Sequence, residues 1–151
     1  MPKGRRRNKR LDAPHVRLYR WLLDSPAYLS LSCPARAVLV EIVRCYDGFN
    51  NGRVGLSVRK AAERCKIAPG TAKRAFEELQ DRGFIECVTK GAFSRKTQHA
   101  SEWRLTFWKC DVTGELASKK FMRWGREKQN AVSKYPVTVS NRDHLTEQKV
   151  A

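Results

Sequence analysis

The side chains of this sequence that offer chemistry are mainly positively charged, and they are suited to binding anions rather than to catalysis. Three sets of them are separated along the chain: Arg5, Arg6, Arg7, Lys9 and Arg10 at the start; Lys73 and Arg74, with Thr71 and Glu77 beside them; and Lys90, Arg95 and Lys96. Arginine and lysine N–H groups form charge-assisted hydrogen bonds to anionic oxygens. The three sets therefore predict an anionic partner that is large enough to meet all of them.

The overall charge points the same way. The 151 residues include 31 Lys and Arg against 15 Asp and Glu, a formal net charge of +16. Such an excess favours nucleic acid or an anionic membrane surface as the partner. No apolar run approaches the length of a membrane span, and no signal-peptide core follows the basic start. We therefore expect nucleic acid, and no membrane partner.

Catalytic and metal-binding patterns are missing from the sequence. We find no nucleophile paired with a base, no phosphate-binding loop and no carboxylate constellation. The histidines His15, His99 and His144 are isolated, and the five cysteines are widely spaced without a C-x-x-C pair. This pattern argues against a disulfide framework or a zinc site. We expect a protein that is not an enzyme, has no cofactor or metal, and keeps reduced cysteines in the cytoplasm.

Two helices are predicted in the first third of the chain. The first covers about 12–24, with Asp12 as a cap, Pro14 in the first turn and Ser25-Pro26 at the end. The second begins at Ser32, with Pro34 in its first turn. Its apolar residues recur at helical spacing: Val38, Leu39, Ile42, Cys45 and Tyr46. A turn-rich stretch and one short strand, 53–56, are expected to follow.

A pair of closely spaced helices is predicted next, in "LSVRKAAERCKIAPGTAKRAFEELQDRGFIE". Ser57 caps the first, and Pro69 begins the second, which Gly83 ends. The expected buried residues are Val58, Ala61, Ala62 and Cys65 in the first helix, and Ala72, Ala75, Phe76 and Leu79 in the second. Small residues let the two helices cross closely. This is a helix-turn-helix, and its second helix would project Thr71, Lys73, Arg74 and Glu77 outward, together with Glu78.

Two strands are predicted after Gly83, where the apolar period changes from helical to alternating. The first covers 84–89 and the second 101–108. In the second, Trp103, Leu105 and Phe107 share one face, and Glu102, Arg104 and Thr106 share the other. The residues between the strands, 90–100, form a basic loop with Lys90, Arg95 and Lys96. Two strands and such a loop behind a helix-turn-helix make a wing.

These residues resemble a known family. The quoted stretch is similar to the core of bacterial winged helix-turn-helix proteins, with a Leu-Ser start, an Ala-Ala pair, and an Arg-Gly-Phe-Ile end. The likeness covers about 32–108. The segment "LSCPARAVLVEIVRCYDGFNNGRVGLS" further resembles phage- and plasmid-borne members, including replication-associated ones. Pro69-Gly70 departs from the usual polar residues, so the front of the second helix offers fewer side chains to contact bases.

The fold that we predict is α+β, a winged helix-turn-helix of three core helices with an extra N-terminal helix and a β-hairpin wing. The domain covers 12–108, between a basic disordered arm, 1–11, and a mobile polar tail, 127–151. The extension 109–126 could form one helix. Its apolar residues Leu116, Phe121 and Trp124 would either be exposed for dimerisation or fold back on the domain.

The function that we expect is sequence-specific binding of double-stranded DNA, in a nucleoid-associated regulator of transcription in a bacterium or a mobile element. Lys73 would contact base edges and Glu77 would accept from cytosine, while Thr71 and Arg74 would lie near phosphates. Arg95 and Lys96 would contact the backbone or minor groove, and the arm would lie along phosphates. The sequence is compatible with a homodimer and does not decide between monomer and dimer. Two alternatives remain: a replication initiation or organisation protein of a plasmid or phage, and a winged-helix adaptor that binds another protein.

Overall fold

The computed structural model describes residues 15–93 and 98–125, and the fold is α+β. Several predictions fall outside these ranges: the basic arm, the proposed helix start at Asp12 and Pro14, the wing residues Arg95 and Lys96, and the polar tail.

Five α-helices, a 3-10 helix and five strands make up the described residues. The helices are α1 (Arg20–Leu23), α2 (Pro26–Leu29), α3 (Cys33–Arg44), α4 (Val58–Cys65) and α5 (Pro69–Asp81), with the 3-10 helix at Lys120–Arg123. The strands are β1 (Val54–Gly55), β2 (Ile85–Thr89), β3 (Ala92–Phe93), β4 (Gln98–His99) and β5 (Glu102–Leu105). Three strands form an antiparallel sheet in the order β1–β5–β2, and β3 pairs with β4 separately.

Helices α3, α4 and α5 pack together and begin where their capping residues predict. The Ser32 hydroxyl accepts from the Ala35 amide at 3.4 Å, and the Ser57 hydroxyl accepts from the Lys60 amide at 3.2 Å. Each bond satisfies an amide that has no partner within its own helix. Helix α5 begins with Pro69, and Gly83 follows its end with a φ of +77°, a value that glycine adopts readily.

The sheet is joined to α5 through aromatic side chains. Trp103 of β5 stacks on Phe76 of α5, with ring centroids 4.7 Å apart, and both are buried. The Trp103 indole N–H donates to the carbonyl oxygen of Leu56 at 2.8 Å, so its polar edge is also satisfied. This pair fixes the orientation of α5 relative to the strands.

The predicted helix over 12–24 is confirmed only near its end and is wrong over 15–19. Residues 15–19 have no helical structure, and α1 covers only Arg20–Leu23. Ser25 and Pro26 do end this short helix, but they also begin α2, since the Ser25 hydroxyl accepts from the Tyr28 amide at 3.2 Å. A serine followed by proline is a helix start as well as a helix stop, and here it acts as both.

Thr106 also differs from the prediction, which placed it on the outer face of the second strand. Strand β5 ends at Leu105, so the alternation does not extend to Thr106. The side chain is fully buried, and its hydroxyl donates to the carbonyl oxygen of Gly83 at 2.7 Å. This hydrogen bond from Thr106 therefore stabilises the turn that follows α5.

The described part of the extension, 109–125, folds back on the domain, and its one helical element is the 3-10 helix. Phe121 is fully buried and stacks on Phe84 with centroids 4.7 Å apart, while the Arg82 guanidinium lies 4.3 Å from the Trp124 ring centre. Leu116 remains 81% exposed. Phe121 and Trp124 therefore fold back on the domain and are not exposed for dimerisation.

Asn51, which lies in the predicted turn-rich stretch after α3, is fully buried and bonded to distant groups. Its amide Nδ2 donates to the carbonyl oxygens of Leu105 at 3.0 Å and Lys109 at 2.9 Å, and its Oδ1 accepts from the Leu105 amide at 2.7 Å. Its backbone amide donates to the Asp111 carboxylate at 2.8 Å. These bonds join the loop after α3 to the end of β5.

Candidate functional site

Helix α5 has one buried and one exposed face, as the apolar spacing predicts. Its buried residues are the four expected ones: Ala72, Ala75, Phe76 and Leu79. Opposite them, Gly70, Arg74, Glu77 and Asp81 follow one another at helical spacing and are exposed. The helix is thus held by the core on one side and presents its other side to solvent.

The two basic residues of α5 keep donors available for a ligand. Arg74 is exposed and has no ion-pair or hydrogen-bond partner within the described ranges. Lys73 is 72% exposed, and its Nζ lies 3.9 Å from the Glu77 carboxylate one turn later. Exposed pairs of this spacing contribute only about 0.2–0.5 kcal/mol, so an anion can displace Glu77. Thr71 is partly buried in the first turn.

Positive charge also surrounds the start of α4 and the turn before α5, which the sequence did not single out. Arg59 and Lys60 lie in the first turn of α4, and Lys66 follows its end in a left-handed conformation, with a φ of 55°. Lys60 pairs with Glu63 at 3.1 Å. The pKa of Glu63 is lowered, mainly by the bond from Lys60 and further by the charges of Lys66 and Arg59. The residue types and spacing around these positions carry no signal that marks them in the sequence.

The segment predicted as a basic loop contains a small hairpin instead. Strands β3 and β4 pair with Ala92 opposite His99. Lys90 is exposed at the base of this hairpin, and the predicted contacts Arg95 and Lys96 belong to the undescribed residues between the two strands. A side chain on Gly91 would lie 2.9 Å from the Ser101 amide nitrogen, so the glycine permits the close approach of the two arms.

A groove separates this hairpin from the start of α4. It has a volume of about 390 Å³ and is lined by Ser57 and Arg59 on one side and by Gly91, Ala92, His99, Ala100 and Ser101 on the other. The hairpin and the basic first turn of α4 therefore face each other, next to the helix pair.

Glu78 does not point outward with the other polar residues of α5. Its carboxylate accepts from the Ser32 hydroxyl at 2.6 Å and from the Ser32 amide at 2.9 Å. Glu78 therefore ties α5 to the first turn of α3, where a negative charge also suits the helix dipole. The acidic residues Glu77 and Asp81 stay exposed, so only the first half of the outer face of α5 is basic.

Charged residues on the outer side of the sheet are paired. Arg104 of β5 is 13% exposed and forms ion pairs with Glu86 of β2, at 3.6 Å, and with Glu115. It also donates to the carbonyl oxygen of Leu116 at 3.2 Å, and Lys120 pairs with Glu86. We refer to Glu86, Arg104, Glu115 and Lys120 as the sheet network. Its basic groups are engaged within the protein.

No described helix has the length and apolarity that crossing a bilayer requires. Over the same residues, no three His, Cys, Asp or Glu side chains come together as a metal site would need.

Comparison with known proteins gives no relative. No family model matches the chain, and no similar protein is found among curated proteins or solved structures. The function is therefore inferred from the geometry of the chain itself.

Proposed function

We propose that the protein is a winged helix-turn-helix that binds double-stranded DNA in a sequence-specific manner and regulates transcription. The α4–α5 pair would be the helix-turn-helix, with a turn of three residues, and the β3–β4 hairpin would be part of the wing. The α+β arrangement of helices and antiparallel sheet is compatible with that fold. The absence of a catalytic constellation in the sequence makes a binding role the better proposal than an enzymatic one.

The observation that carries this proposal is the outer face of α5. A helix fixed by a buried stripe, with exposed basic groups in its first half, has the shape and charge to enter the major groove by its N-terminal end. Lys73 would donate to guanine, and Arg74 would hold a phosphate with Thr71. Glu77 and Asp81 disfavour a helix that lies along the groove over its whole length, because phosphates would repel them.

Residues beside α5 would supply the backbone contacts. Arg59 lies in the first turn of α4, Lys66 in the turn between α4 and α5, and Lys90 at the base of the hairpin, all exposed to solvent. Each phosphate that they neutralise adds about 0.9 to the slope of log affinity against log salt. In this proposal Arg95 and Lys96 extend the contact from the hairpin, and the basic arm adds contacts that do not depend on sequence.

The acidic second half of α5 favours one alternative, an adaptor that binds a basic protein surface through Glu77 and Asp81. A replication role on a plasmid or phage would use the same DNA contacts as a regulator. Footprints on the element's own promoter and origin separate regulation from replication. A pull-down in the absence of nucleic acid detects the adaptor.

Selection of bound duplexes from a random DNA pool tests the proposal. The parent protein should enrich a defined site, and Lys73→Ala should relax the preference at one or two of its positions, at a cost of about 1–3 kcal/mol. Lys90→Ala, a matched change at the base of the hairpin, should lower affinity for all duplexes alike. If the parent binds no duplex at low salt, the proposal is wrong and the adaptor becomes the better account.

A further inference from the structure

A second cavity, remote in sequence from α4 and α5, lies between the extended residues 15–19 and the end of α3. Its volume is about 390 Å³. Tyr46 and Trp108 line it and stack on each other with centroids 4.6 Å apart, and Val16 and Val43 add apolar surface. Burial, followed by the charge of Asp111, raises the pKa of Tyr46. One wall of the cavity is therefore aromatic and apolar and suits an aromatic group, while charged side chains line the rest.

The loop beside this cavity presents such a group. Phe49 follows Gly48, which lines the cavity, and it is 87% exposed. The loop is braced: the Asp47 carboxylate accepts from the Phe49 amide at 2.8 Å, and Asn50 Oδ1 accepts from the Asp47 amide at 3.1 Å. The Tyr46 hydroxyl donates to the Gly48 carbonyl oxygen at 2.9 Å. These bonds hold the loop backbone, so the loop needs little further ordering when Phe49 is bound.

We propose that Phe49 of one copy inserts into this cavity of a second copy, forming a twofold-symmetric homodimer. The exposed Phe49 ring lies next to the cavity on the same surface, since its neighbour Gly48 lines the cavity. A twofold rotation can therefore place each ring against the other copy's cavity, which is the self-complementary contact that a symmetric dimer requires. Buried aromatic anchors of this kind contribute most of the binding energy in protein interfaces.

Opposite charges at the cavity suit a second copy of this chain as the partner. Arg17 and Asp47 both line the cavity, so each copy brings one cation and one anion to the contact. Arg17 bonds to the Tyr19 hydroxyl and thereby lowers the pKa of Tyr19. A guanidinium has five N–H donors, so others remain for Asp47.

This surface differs from the one that the sequence suggested for dimerisation. Phe121 is buried in its own chain and is not available to a partner, whereas Leu116 is exposed but lies outside the cavity. The proposal goes beyond DNA binding and does not depend on it, because self-association is measured without nucleic acid.

Sedimentation of the full chain over a range of concentrations tests the proposal. The parent should dimerise, and Phe49→Ala should raise the dimer dissociation constant by about a hundredfold, since both copies lose an anchor at about tenfold each. Leu116→Ala removes a comparably exposed apolar side chain elsewhere and should leave the constant unchanged. A parent that is monomeric at every concentration, or a Phe49→Ala variant that dimerises like the parent, would overturn the proposal.

A complementary pair of variants tests the insertion itself. Phe49→Ala keeps the cavity and removes the ring, whereas Val16→Trp keeps the ring and fills the cavity. Each variant alone should dimerise about a hundredfold more weakly than the parent. Their mixture should form heterodimers by native mass spectrometry, because one ring and one cavity still match. If the mixture associates no better than either variant alone, Phe49 does not enter the cavity.

Discussion

The basic residues of the sheet network and those of the α4–α5 region differ in what they contact. Arg104 and Lys120 lie against Glu86 and Glu115, and Arg104 is largely shielded from solvent. In contrast, Arg74 is exposed without a partner in the described part of the chain, and Lys73 meets Glu77 only at 3.9 Å. The same residue types thus stabilise the fold in one region and remain available to an anion in the other.

This difference means that only part of the net charge of +16 is available to bind an anionic partner. A cation that is already paired has lost part of its hydration and gains little from an additional phosphate. An exposed cation on a helix fixed by the core keeps its donors for a ligand. The partners of each basic residue, rather than its position in the sequence, separate structural from binding roles.

The largest expected effect concerns the core that both regions share. Phe76 lies on the buried side of α5, behind Arg74 and Lys73, and stacks on Trp103. Phe76→Ala should lower the free energy of unfolding by about 3–5 kcal/mol, because it removes this contact and leaves a cavity. Phe49→Ala is the matched control: that ring is exposed, so its loss should change stability by at most about 0.5 kcal/mol. Chemical denaturation of dilute protein measures both. Equal stability of Phe76→Ala and the parent would mean that the faces of α5 are assigned wrongly.

Substitutions in the sheet network should lower the stability of the fold and leave DNA affinity unchanged. Arg104→Ala removes charge-assisted hydrogen bonds and leaves Glu86 and Glu115 without that partner, at a cost of about 1.5–3 kcal/mol. Arg44→Ala, which breaks an exposed pair with Glu41 at 3.1 Å, should cost less than about 1 kcal/mol. Thermal unfolding compares the two variants. A loss of DNA affinity in folded Arg104→Ala, with stability unchanged, would contradict the division between the regions.

Substitutions of the exposed basic residues of α5 should lower DNA affinity and leave the stability of the fold unchanged. Arg74→Ala should weaken binding to all duplexes by on the order of 1 kcal/mol and make the salt slope shallower by about 1, as loss of one phosphate contact does. Its thermal unfolding should match that of the parent, because no described residue pairs with Arg74. Titration of a labelled duplex at several salt concentrations checks both numbers, with Arg44→Ala as the exposed control on α3. A salt slope equal to that of the parent would remove Arg74 from the interface.

A substitution of Glu77 should give the smallest change in DNA affinity. It tests where the basic first half of α5 ends and its acidic second half begins. Glu77→Gln releases Lys73 and removes a charge that repels phosphate, so affinity should rise by a few tenths of a kcal/mol. Competition between variant and parent for the selected duplex resolves a change of this size. If affinity falls instead, and preference is lost at one cytosine, then Glu77 accepts a hydrogen bond from that base.

The sequence predicts the α3–α5 helices well, because capping residues and apolar spacing act locally. Ser32, Ser57 and Pro69 begin helices where they are expected to. Two features that the sequence does not indicate depend on distant partners. Nothing near Thr106 in sequence indicates that its hydroxyl bonds to Gly83, and nothing near Asn51 indicates its bonds to the end of β5.

The candidate site divides in the same way. The exposure of Lys73 and Arg74 follows from the helical period of α5. In contrast, the bond from Ser32 to Glu78 and the pairing of Arg104 depend on how separate elements pack. Arg59 was missed because a charged residue in a first helical turn has no distinctive pattern. The reason to propose it as a contact is its place across the groove from the hairpin.

The most direct test of the central claim follows backbone amide signals by NMR while a duplex selected from the random pool is added to the full chain. Binding through the α5 face predicts shifts in the first turn of α4, the turn at 66–68, the first half of α5 and the residues at the base of the hairpin. The sheet network at Glu86, Arg104 and Glu115 should be unchanged. Shifts confined to the sheet network, or none at saturating duplex, would contradict the account.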